Sequence, residues 1–156
     1  MSAPEFLTTA QSRRIAYHRT RGTAPASVPG VVFLGGLKSD MQGTKATHLE
    51  GLAGIRGLDF LRFDYSGHGE SSGAFTDGCI GDWAEDAAEA IGALTEGPQI
   101  LIGSSMGGWV SLLMARQMPE RIAGLITIAA APDFADAMQA EFTPEQRQEM
   151  EQTGQV

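Results

Sequence analysis

The residues of this chain with the clearest chemical meaning lie in one stretch, Ile100-Leu101-Ile102-Gly103-Ser104-Ser105-Met106-Gly107-Gly108-Trp109. A short apolar run leads into Gly103-x-Ser105-x-Gly107, and a helical pattern starts directly after it. A serine on so sharp a strand-to-helix turn holds its hydroxyl out from a strained backbone. The residues two before and two after it must then be small, and Gly103 and Gly107 meet that need. Ser104 does not, because Ile102 and Met106 stand at those offsets. The chemistry open to such a hydroxyl is attack on an acyl carbon, giving an acyl-serine that water later cleaves. The helix after Ser105 points its N-terminus at the serine, so the Met106 N–H is expected to donate to the oxyanion that forms. A second donor is expected from Leu37 N–H, in the Gly35-Gly36-Leu37 turn. One such donor is typically worth about 3 to 4 kcal/mol in the transition state.

The elements that must hold these residues alternate along the chain as β-β-β-α-β-α-β-α-β-α. Val31-Val32-Phe33-Leu34, Phe60-Leu61-Arg62-Phe63, Gln99-Ile100-Leu101-Ile102 and Leu125-Ile126-Thr127-Ile128 are short and mostly apolar, as strands of a parallel sheet buried on both faces are. Phe6 to Thr8 and Arg14 to His18 are short runs, and the second alternates and reads as a half-exposed antiparallel edge strand. Leu49, Leu52, Ala53 and Arg56 share one side of a first crossover helix. Trp83, Ala87, Ala90, Ile91 and Leu94 form the stripe of a second, which Gly97-Pro98 ends. Residues 133–152 are polar and helical, restarting where Thr143 caps and Pro144 opens a new helix.

With 156 residues, 42% of them hydrophobic, the chain is long enough for one domain and too short for two. Its net charge of -8 would repel phosphate backbones, and its basic residues form no patch, so nucleic acid is not an expected partner. No apolar run approaches the roughly 20 residues that a membrane span needs. Residues 1–10 carry Glu5 and no long apolar run, so they do not read as a secretory signal. Cys79 is the single cysteine, which rules out a disulfide within the chain and fits a structural thiol in a reducing compartment. A cytoplasmic location is expected. No metal or organic cofactor is implied.

Four segments occur in order: Gly35-Gly36-Leu37-Lys38-Ser39-Asp40-Met41, Gly43-Thr44-Lys45-Ala46, Arg62-Phe63-Asp64-Tyr65-Ser66-Gly67-His68-Gly69-Glu70-Ser71-Ser72-Gly73, and Gly103 to Trp109. Together they resemble the α/β-hydrolase superfamily. More narrowly they are similar to serine hydrolases described as palmitoyl-protein thioesterases and mycophenolic acid acyl-glucuronide esterases, a group with mitochondrial and bacterial members. The resemblance runs from about Arg14 to Gln155. It implies an α/β-hydrolase fold and hydrolysis of a small-molecule carboxylic ester or thioester. It also implies that residues 1–156 are the N-terminal portion of one domain, lacking the last strands and helices. Residues 133–156 would then begin a lid-like segment, with Phe134, Met138 and Phe142 as candidate contacts for an acyl chain.

In this fold the order along the chain is serine, acid, histidine, and His18, His48 and His68 all precede Ser105. His68 belongs to a loop-shaping turn, while His18 and His48 read as surface residues. Asp133 follows the last strand, at a position that only a minority of such enzymes use for the acid. The expectation is therefore a chain impaired or inactive by itself, which leaves its last strand as an open edge and pairs with a complementary C-terminal fragment. The alternative is a noncatalytic fragment or binding module from a truncated or split gene. Nucleotide binding through Gly67-x-Gly69 or Gly43-Thr44-Lys45 fails on glycine spacing.

Overall fold

A computed structural model of the chain describes residues 3–154. Six strands form one sheet in the order β1-β2-β4-β3-β5-β6. They are β1 (Glu5–Thr8), β2 (Arg14–Thr20), β3 (Gly30–Leu34), β4 (Phe60–Phe63), β5 (Gln99–Ser104) and β6 (Ile122–Ile128). β1 and β2 form an antiparallel hairpin, and β2 pairs antiparallel with β4. β3, β4, β5 and β6 run parallel, with Leu34 opposite Gly103 and Ser104 opposite Ile128. The helices are α1 (Thr44–Ile55), α2 (Ile80–Leu94), α3 (Met106–Gln117), α4 (Phe134–Ala140) and α5 (Pro144–Thr153). This is the α/β arrangement that the alternation of runs predicts.

Because side chains alternate across a strand, the sheet builds two cores. Val32, Leu34, Leu61 and Leu101 face α2 and α3, meeting Ala87, Ile91, Val110 and Met114. Val31, Phe33, Phe60 and Ile102 face α1, meeting Ala46 and Ala53. The α2 stripe lies as its spacing predicts, with Trp83, Ala87, Ala90, Ile91 and Leu94 all buried. At α5, the Thr143 hydroxyl accepts from Gln146 N–H at 3.2 Å, as the cap signal requires.

Two expectations are corrected. α1 does not seat Leu52 and Arg56: both are exposed, and the helix buries Ala46 and Ala53 with Leu49 half-buried. The i, i+3, i+7 stripe of Ala46, Leu49 and Ala53 wins because its two alanines let α1 lie close on β3 and β4. β2 is no edge strand either, since β1 and β4 flank it. His18 is accordingly buried rather than a surface residue. Its Nε2 accepts from the Gln42 side-chain amide at 3.2 Å, because Gln42 Oε1 is already taken by Arg62 Nη1.

An accepting Nε2 requires a neutral ring. Burial first, and the Arg62 charge second, hold His18 below the ordinary imidazole range, against the opposing carboxylates of Glu50, Glu70 and Asp64. In the unfolded chain His18 takes up its proton near pH 6.5, while the folded protein resists until lower pH. Stability is then full above that value and declines as pH falls through it. Urea midpoints should drop between pH 7.5 and 5.5, and drop less in His18→Gln; equal slopes would contradict this.

β6 forms the far edge of the sheet, with Leu125, Ile126 and Ile128 between 37% and 51% exposed. No described helix is long and apolar enough to cross a membrane.

Candidate active site

Ser105 is the single residue between the last residue of β5 and the first of α3. Its backbone sits at φ 55 and ψ -120, a conformation that costs a non-glycine residue about 1 to 3 kcal/mol. The surroundings hold it there. Its N–H donates to Ile128 O at 2.9 Å, and its carbonyl accepts from Gly108 N–H at 2.9 Å and Ala131 N–H at 3.2 Å. Ser105 is exposed while Ser104 and Met106 beside it are buried, so the turn presents one hydroxyl. Relief of the strain is measurable. Ser105→Gly should raise stability by about 1 kcal/mol in urea titration, and a lower midpoint would contradict the strained reading.

The glycines are required by collision. A Cβ on Gly103 would strike the Gly107 carbonyl oxygen and Ser111 Oγ, and one on Gly107 would strike the carbonyl oxygens of Leu34 and Gly35. Gly108, which the spacing argument passed over, is equally constrained, since a Cβ there would meet Ala130 at 2.5 Å. α3 can start this close to β3 only without side chains at those points.

Met106 is the first residue of α3 and is fully buried, so its N–H has no acceptor four residues back within the helix. The Gly35-Gly36-Leu37 loop reaches the same point. A Cβ on Gly36 would lie 3.3 Å from Ser105 Cβ and 3.4 Å from Ser104 O. Leu37 and Ser105 share a cavity of about 400 Å³, walled further by Ala131, Phe134, Ala137, Met138 and Glu141. That volume suits a small-molecule site, for which roughly 300 to 1,000 Å³ is usual. Phe134 packs edge-to-face on Trp109, their ring centroids 5.8 Å apart. Phe142 is not among the residues walling the cavity, which corrects its expected place there; α4 turns the chain away before it. Gln155 and Val156, the end of the expected lid segment, lie outside the described residues.

No described histidine or carboxylate forms a hydrogen bond with Ser105. His18 is held by Gln42 and His48 is exposed on α1. His68 sits with Nδ1 3.1 Å from Ser66 O, its ring boxed in by Tyr65, Phe75 and Trp83. Asp133 is exposed at the N-terminus of α4. Among the described residues no group of three or more His, Cys, Asp or Glu could hold a metal ion.

Two buried carboxylates escaped the sequence reading. Asp64, 2% exposed, accepts from the N–H groups of Met41 and Glu70. Asp86, fully buried, accepts from Ser66 and Arg13. Asp86 had a signal, lying three residues after Trp83 on the buried stripe of α2.

Residues 31–154 match the family model described as the alpha/beta hydrolase fold. The chain belongs to the alpha/beta hydrolase family. Among curated relatives, mouse palmitoyl-protein thioesterase ABHD10, mitochondrial, is 38% identical over 149 residues, covering 96% of this chain and 49% of that protein. The human protein of the same name is 37% identical, with 96% and 47% covered. The chain thus spans about half the length of the curated relatives it matches. Among solved structures, mouse alpha/beta hydrolase domain-containing protein 10 superposes with a TM-score of 0.88 at 37% identity, covering 98% of this chain and 60% of that one. A putative hydrolase from Agrobacterium vitis gives 0.89 at 35% identity, covering 97% and 61%. The thioesterase relatives are named mitochondrial, which overturns the expectation of a cytoplasmic alpha/beta hydrolase here. Composition and the first ten residues given carry no information on that point.

Proposed function

We propose that Ser105 is the nucleophile of an ester or thioester hydrolase, and that Leu37 and Met106 supply the amides that hold the oxyanion. The observation that carries this is the exposed Ser105 hydroxyl on a positive-φ turn, opening into the same apolar-walled cavity as Leu37. The acyl group lies against Leu37, Phe134 and Met138, on the wall formed by the start of a lid-like segment in residues 133–154. Ser105 Oγ attacks the acyl carbon and its proton passes to a base. The alcohol or thiol then leaves with a proton, and water cleaves the acyl-serine to acid and free hydroxyl. The thioesterase names of the relatives favour a thiol leaving group.

The base is the element that the described residues do not contribute. Without one the hydroxyl stays protonated at neutral pH and attacks poorly. The catalytic unit is therefore read as this chain with a complementary C-terminal segment that brings an acid and a histidine. The chain alone acts at most as a binding module, and the separation of all three histidines from Ser105 favours that second reading for it.

Fluorophosphonate labelling and acyl thioester hydrolysis test both. With a C-terminal segment built from the part of a relative that this chain does not cover, the chain should label and turn over, and Ser105→Ala should lose about 10⁴-fold or more in rate. The chain by itself should do neither while remaining folded. Labelling that survives Ser105→Ala would sink the proposal.

A further inference from the structure

The loop that carries Leu37 is gripped at its far end by two buried side chains at the end of β4, Arg62 within the strand and Asp64 directly after it. Met41, itself 2% exposed, has its N–H donated to Asp64 Oδ1 at 2.6 Å and its carbonyl bonded by Arg62 Nη1 at 2.8 Å. Both backbone polar groups of one loop residue are thus taken by two side chains at the C-terminal end of β4. Arg62 also donates to Gln42 Oε1 at 3.1 Å and, through Nε, to Glu50 on α1 at 2.9 Å. The other Asp64 oxygen accepts from Glu70 N–H at 3.0 Å, and only a glycine at position 69 leaves the carboxylate room. Asp64 therefore joins the loop after β3 to the loop after β4.

Between this grip and Ser105 the loop has little slack. Ser39 N–H closes a turn on Gly36 O at 3.1 Å, Gln42 N–H donates to Asp40 Oδ1 at 2.8 Å, and Lys38 sits at φ 55. A displacement at Met41 passes through these turns to Gly36 and Leu37. Burying Asp64 costs solvation and raises its pKa, while the N–H bonds from Glu70 and Met41 act in the opposite direction. Such a group persists where its geometry is needed.

We propose that Asp64, together with Arg62, is a positioning residue: it acts through Met41 to set the distance of the Gly36-Leu37 backbone from Ser105. This rests on the reading of Leu37 as an oxyanion donor, but its test does not need catalysis. Asp64→Asn keeps the shape and replaces one accepting oxygen with an amide that cannot accept. Amide hydrogen exchange at residues 36–42 should accelerate about tenfold or more, with β5 amides unchanged. Equal acceleration in β5 would mean that Asp64 is only a stability residue, and no acceleration in the loop would also overturn the proposal.

If that variant fails to fold, the unaltered chain answers by NMR titration. The groups around Asp64 are Asp40, Glu70 and His68, with Arg62 two residues before it in β4. The Met41, Glu70 and Leu37 amide resonances should move together at the Asp64 midpoint, above the ordinary carboxylate range. A Leu37 resonance indifferent to that midpoint would refute the coupling. In the complemented enzyme, Asp64→Asn should lower kcat for the thioester about tenfold with KM unchanged. A tight loop with no hydrolysis in any variant would reject the catalytic reading and leave the positioning intact.

Discussion

Asp86→Ala should cost about 3 to 5 kcal/mol, a large share of the roughly 5 to 15 kcal/mol by which a domain of ordinary stability is folded. The fully buried carboxylate accepts three hydrogen bonds: from Ser66 N–H at 2.8 Å, Ser66 Oγ at 2.7 Å and Arg13 Nε at 2.6 Å. Alanine removes both accepting oxygens and so all three bonds. Arg13 keeps Glu85 at 3.0 Å and Asp82 at 3.5 Å, both nearer to solvent, so its loss is moderate. The Ser66 N–H and hydroxyl keep no acceptor and would stay buried without partners, each at about 1 to 3 kcal/mol. Asp86→Asn retains one accepting oxygen and should lose about half as much. Urea unfolding measures both, and a loss below about 1 kcal/mol for alanine would show that water replaces the carboxylate at no cost.

Gly107→Ala should cost about 3 kcal/mol, at the upper end of what an inserted methyl does in a packed interior. In an open helix this substitution normally gains about 1 kcal/mol, so the expected sign is reversed. The reason is what the methyl would meet. The carbonyl oxygens of Leu34 and Gly35 are backbone, and they cannot swing aside as a side chain could. α3 must lift from β3, which turns the Met106 N–H at its first position as well. Gly124→Ala on β6 is the control, because nothing lies within 4 Å of the added carbon, and it should leave stability within about 0.5 kcal/mol. Similar losses at both positions would mean that general glycine effects, rather than the close approach, dominate.

The fold was legible where local patterns and long-range packing ask for the same residues. The four apolar strands, the Trp83 to Leu94 stripe, the Thr143-Pro144 restart and the glycine-flanked Ser105 each declare themselves within about ten residues of sequence. What depended on neighbours distant along the chain was misread. β2 looks half-polar because His18 and Arg19 interrupt it, yet β1 and β4 on either side make it interior, and Gln42 satisfies the imidazole. Leu52 reads as core by type, while the closeness of α1 to the sheet is set by Ala46 and Ala53. Asp64 and Asp86 have charges that suggest solvent, and only the loops folded over them reveal their partners. The cavity beside Ser105 was legible only in outline, since Phe134 and Met138 reach it and Phe142 does not.

The pairing order of the strands also constrains how the protein comes into being. Only β1 and β2 join as a hairpin; β3 pairs with β4 and β5 with β6 in parallel across helical crossovers, and β3 must also meet β5 across roughly 70 residues. Closing so long a loop is entropically slow, and topologies dominated by distant pairings fold late. The backbone at Ser105 is held in its unfavourable conformation by bonds to Ile128 and Ala131, so it can be wound there only once β5 lies beside β6. Any partial opening that frees β5 therefore also releases the positive-φ turn.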